Sequence, residues 1–113
     1  MDCFCYSKKQ YFIYIMTEHA VIVHFTPTFE DFRQFDSFEI ELEKVMHEDD
    51  IYNSYEFTTD MSNGTLYLYG PNADRLYNDI RDVILNSTLF TDFHFVLRYG
   101  PEDSNSRVLH IIQ

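Results

Sequence analysis

A chain of 113 residues that is 45% hydrophobic, with eleven Phe and nine Tyr, builds one domain with a sizeable core, which excludes the disordered class. Nineteen acidic against eight basic residues give a formal charge of −11, which repels phosphate backbones and anionic headgroups and so excludes nucleic acid and membrane surfaces as direct partners. Cys3 and Cys5 are the only cysteines, so no disulfide framework is written into the chain and a reducing compartment, the cytoplasm, is expected.

The first fifteen residues differ from the rest, with both cysteines, Lys8-Lys9 and the apolar run from Tyr11 to Ile15. That run is too short for the core of a signal peptide, no small-residue cleavage site follows it, and nothing approaches the ~20 apolar residues of a membrane span. Two readings stay open. Residues 1–15 are an extension ahead of a single domain over 16–113, with Met16 as a translation start, or Tyr11 to Ile15 is an extra edge strand.

Ala20 to Phe25 is a continuous, largely β-branched run that stops before Pro27, the pattern of a strand buried on both faces and therefore central. Phe29, Phe32 and Phe35 then recur at three-residue spacing, a core stripe. Asp36 offers an N-cap with Glu39 three residues on, and Phe38, Leu42, Val45 and Met46 make one apolar face, so an amphipathic helix is predicted over roughly 36–48. Residues 30–50 hold nine acids against Arg33 and Lys44, a net −7. On this reading Glu48, Asp49 and Asp50 crowd the negative end of the helix dipole, a costly placement that a basic partner offsets.

Ser54 to Thr58 alternates as a half-buried strand, and Ser62-Asn63-Gly64 signals a hairpin into the strand Thr65 to Tyr69. Gly70-Pro71 makes a corner and Asn72 caps a helix whose apolar face is Ala73, Leu76, Tyr77, Ile80, Val83 and Ile84. Asn86-Ser87 ends it. Phe93 to Tyr99 is a further strand closing in Tyr99-Gly100-Pro101, and Val108 to Ile112 folds back on it.

The order strand, helix, strand, strand, helix, strand, strand predicts an α+β fold, the ferredoxin-like split βαβ (βαββαβ) two-layer sandwich with an additional C-terminal strand. The segment LYLYGPNADRLY and the later VLRYGP also resemble a group of small bacterial proteins in which Tyr-Gly-Pro follows two strands and an acidic residue stands three positions after the proline, as Asp74 does after Pro71. That resemblance covers the second half of the chain and implies the same fold.

With both helices on one face, alternation sends Val21, Val23, Phe25, Leu66, Leu68, Phe93, Phe95 and Leu97 beneath them. The open face then presents Ile22, His24, Tyr67, Tyr69, His94, Val96 and Arg98, a composition suited to contact with a protein, including a second copy as a homodimer, or with a small molecule. His24 and His94 on neighbouring strands lack a third ligand, so no metal or other cofactor is expected. No nucleophile–base arrangement or Gly-rich phosphate loop is present, and the chain reads as a non-enzyme. Its expected role is an acidic protein-binding module, an immunity-type inhibitor of a basic toxin nuclease or another nucleic-acid-processing enzyme. The expected contact residues are Glu39, Glu41, Glu43, Glu48, Asp49 and Asp50. A self-associating structural or ligand-sensing domain is the alternative.

Overall fold

Eight elements follow from these patterns in a computed structural model that describes residues 3–7, 19–102 and 105–112. They are strand β1 (Cys3–Ser7), strand β2 (His19–Pro27), helix α1 (Phe32–Val45), strands β3 (Ile51–Thr58) and β4 (Gly64–Gly70), helix α2 (Ala73–Leu85), and strands β5 (Phe90–Tyr99) and β6 (Arg107–Ile112). The strands form one antiparallel sheet in the order β1-β3-β4-β2-β5-β6, and the helices lie together on one face, giving an α+β two-layer sandwich. The expected edge strand at Tyr11 to Ile15 lies outside the described residues. The edge beside β3 is occupied by Cys3–Ser7, with Cys3 opposite Thr58 and Ser7 opposite Ser54.

As its β-branched run demands, β2 is central, paired with β4 through Ile22↔Tyr67 and with β5 through Ile22↔Val96. All eight residues expected beneath the helices are buried there. They meet Phe35, Phe38 and Leu42 of α1 and Ala73, Leu76, Tyr77, Ile80 and Ile84 of α2. Of the phenylalanine stripe, Phe29 and Phe35 enter the core while Phe32 stays at the margin, edge-on to Phe29. Phe25, Phe29, Phe35, Phe57 and Phe90 interlock into an aromatic cluster, Phe25 and Phe90 with ring centroids 4.2 Å apart. Each fully buried ring contributes about 1.5–3 kcal/mol. Gly64 opens β4 in this cluster because a Cβ there would strike the rings of both Phe25 and Phe57.

The helix predicted over 36–48 is displaced towards the N-terminus. Asp31, not Asp36, is the N-cap, its carboxylate accepting from the Arg33 amide at 2.9 Å and from the Arg33 guanidinium at 2.7 Å. Phe35 must face the core, and that tertiary demand selects the earlier of two possible caps. At the other end Met46 takes up extended backbone, so Glu48, Asp49 and Asp50 stand outside the helix and the expected conflict with its dipole does not arise. They belong to a turn closed by the Asp50 amide donating to the His47 carbonyl at 3.0 Å, where Asp is a natural residue.

The β3–β4 hairpin is also turned differently from expectation. Met61, not Asn63 or Gly64, carries the positive φ of 58°, because the Asp60 carboxylate organises the turn. It accepts from the hydroxyl of Thr58 at 2.9 Å and from the amide and hydroxyl of Ser62 at 3.0 and 2.7 Å. α2 begins as expected, with the Asn72 side chain accepting from the Arg75 amide at 3.0 Å. Its apolar face is buried at Ala73, Leu76, Tyr77, Ile80 and Ile84, with Val83 half-buried.

Candidate functional site

The turn after α1 does more than connect. Asp50 is drawn in beneath Gly70, where an added Cβ would land on its carboxylate. That carboxylate accepts from the His47 amide at 3.3 Å and lies 3.5 Å from the Arg75 guanidinium, which also pairs with Asp49 at 2.9 Å. Arg75 thus ties the first turn of α2 to the exit of α1. Burial pushes the Asp50 carboxyl above its ordinary range, and the His47 amide and Arg75 pull the other way.

Beside this tie the end of α1 and the start of β3 enclose a pocket of about 270 Å³ lined by Glu43, Met46, His47, Glu48, Asp50, Ile51 and Tyr52. Tyr52 is buried and its hydroxyl faces the half-buried Glu39, and both burial and that carboxylate push the phenol well above its usual value. Ile40 stands 60% exposed on α1 with Asp36, Glu43 and Lys44 one turn away on either side. Between α1 and the end of α2 runs a shallow groove floored by Phe38, Val83 and Leu89, with Glu41 at its edge.

The six predicted acids therefore divide. Glu43 and Glu48 are exposed at the pocket, Glu41 is exposed but paired with Lys44 at 3.0 Å, and Asp49 is exposed but paired with Arg75. Glu39 and Asp50 are turned inward, a correction to their expected role on the surface, because one meets Tyr52 and the other fills the space left by Gly70. The residues sequence reasoning missed are Tyr52, His47 and Arg75. Tyr52 falls on the helix side of β3, beside Leu68 in register, because the pairing with β4 shifts between Tyr52 and Ser54; strict alternation from Tyr55 and Phe57 would send it to the other face, so no signal in the sequence marks it.

The open sheet face is smaller than expected. Tyr69 and Arg98 are buried, at 7% and 8% exposure, and are not available for contact. The Arg98 side chain folds back to donate from Nε to the Gly100 carbonyl at 2.9 Å and lies near the Tyr69 ring. Ile22, Tyr67, His94 and Val96 are half-buried and His24 is exposed. His24 and His94 are opposite each other with ring centroids 5.6 Å apart. His110 of β6, which the sequence did not single out, approaches His94 with Nδ1 2.8 Å from its Nε2. Burial first, then His94 and His110, hold His24 below its ordinary pKa. Among the described residues no group of three or more His, Cys, Asp or Glu side chains is arranged to hold a metal ion.

No family model, curated protein or solved structure matches the chain. Among the described residues no helix is long and apolar enough to cross a membrane.

Proposed function

We propose that this chain is an acidic protein-binding module, an immunity-type inhibitor that occupies the basic cleft of a toxin nuclease or another nucleic-acid-processing enzyme. The observation that carries the reading is the pocket at the end of α1. Its volume of about 270 Å³ suits one long side chain, its mouth holds Glu43 and Glu48, and Met46, Ile51 and Tyr52 give it an apolar wall. A lysine or arginine needs that combination, because its alkyl stem prefers apolar surface while its charged head seeks carboxylates. Exposed Ile40 nearby supplies an apolar centre within an acidic surround, the anatomy of a protein interface.

The architecture is read as a ferredoxin-like split βαβ sandwich. The core order β3-β4-β2-β5 supports this, with α1 joining β2 to β3, α2 joining β4 to β5, and β1 and β6 added at the edges. A reducing compartment, the cytoplasm, suits a chain whose only cysteines are Cys3 and Cys5. The sheet-face alternative draws less support, since Tyr69 and Arg98 are committed within the chain.

The test is capture from a lysate of the source cell on immobilised protein, followed by association kinetics with the recovered partner. A basic, nucleic-acid-processing protein is expected, and Glu43→Lys with Glu48→Lys should slow association by at least about tenfold, as should high salt. A partner whose association rate ignores both charge reversal and salt would retire the reading.

A further inference from the structure

Among the described residues, β6 is the outermost strand of the sheet on the β5 side and no strand pairs with its outer edge. Its register with β5 runs from His94↔Ile112 to Tyr99↔Arg107 without a bulge, leaving the second row of its backbone N–H and C=O groups facing outward. Proteins ordinarily blunt such an edge with proline, bulges or charge, because the row is a template for another strand. Here the six residues Arg107 to Ile112 contain no proline and no carboxylate, and their single full charge, Arg107, stands at the start. Val108, Leu109 and Ile112 are 44%, 46% and 78% exposed, half of the chain's exposed large hydrophobic side chains among the described residues.

We propose that β6 pairs antiparallel with β6 of a second copy of this chain, joining two sheets into one across a two-fold axis. The pattern of β6 is complementary to itself. Register with β5 puts Val108, His110 and Ile112 on the open face and Leu109 and Ile111 on the helix face. Pairing centred on His110 then sets Val108 against Ile112 of the copy and Leu109 against Ile111 of the copy, closing apolar pairs on both faces. Charge selects the same occupant. Two chains of −11 repel, and β6 carries none of the nineteen acids, so like meets like here at the least cost. A basic partner of the kind proposed for α1 finds no anion on this strand. The two surfaces are therefore independent.

Light scattering and sedimentation from about 1 µM to about 1 mM test the pairing. A reversible dimer is expected, weakened at least about tenfold by Leu109→Lys or Ile112→Lys. Both positions are exposed, so the fold survives the change, as circular dichroism will verify. His24→Glu, an exposed change on the sheet face, should leave the dimer intact. A chain that stays monomeric throughout overturns the proposal. So does a dimer indifferent to both lysines, or one abolished by His24→Glu. None of these outcomes bears on the pocket at α1, whose test is partner association.

Discussion

Gly70→Ala should destabilise the protein, and the same substitution should stabilise it once Asp50 is alanine. Gly70 is not among the residues with positive φ, so alanine fits its backbone and the only obstacle is steric. A Cβ at 70 meets the Asp50 carboxylate, whereas the Asp50 Cα lies at an ordinary 3.6 Å. In the parent the methyl must push Asp50 off the His47 amide and Arg75, an overpacking cost of about 1–3 kcal/mol. With Asp50→Ala in place the obstacle is gone, and the smaller conformational freedom of alanine in the unfolded chain gives back about 0.4–1 kcal/mol. The double-mutant cycle should therefore show a coupling of roughly 1.5–4 kcal/mol with a change of sign. Urea denaturation of the four proteins at neutral pH measures it. Additivity within about 0.5 kcal/mol would show that Asp50 does not sit over Gly70 as described.

Two further outcomes follow from the caps and the histidines. Asp31→Ala should cost about 0.5–2 kcal/mol and Asp36→Ala less than about 0.5 kcal/mol, measured by thermal or chemical unfolding; equal costs would return the start of α1 to Asp36. The depressed pKa of His24 means that the unfolded chain binds a proton which the folded chain resists. That contribution to stability is complete above the unfolded value of about 6.5 and is lost as pH falls below it. Stability curves of the parent and His24→Asn between about pH 7.5 and about pH 5 should diverge in slope, and parallel curves would show that His24 does not carry the effect.

What could be read in the sequence was what depends on neighbours a few residues apart. The periodicity of α2, its Asn72 cap, the central place of β2 and the alternation that sorts its faces match the structure, whereas burial of β2 on both faces does not, since Ile22 is half-buried and His24 exposed. α1 slipped because Asp31 and Asp36 are both chemically fit to cap a helix, and only the demand of the core for Phe35 chooses between them. The acidic run misled for a related reason. Composition reports charge but not direction, so it could not tell that Glu39 turns to Tyr52 or that Asp50 slips beneath Gly70. The pocket needed the end of α1, the start of β3 and Arg75 of α2 to be brought together, and no spacing along the chain encodes that meeting. His110 went unnoticed until the register of β6 set it against His94.

The central place of β2 also bears on how the chain is made. During synthesis this strand, the most continuously apolar of the sheet, emerges first among the core strands and finds no immediate mate. Ile22 waits for Tyr67 and then for Val96, while β3 with β4 and β5 with β6 can each zip up as local hairpins. At about 5–20 residues per second the ribosome takes several seconds to deliver β4, and for that interval Val21-Ile22-Val23 is naked strand. The nascent chain is therefore most vulnerable to aggregation until β4 has been translated, and slowing translation between residues 30 and 60 should lengthen the exposure and lower the soluble yield.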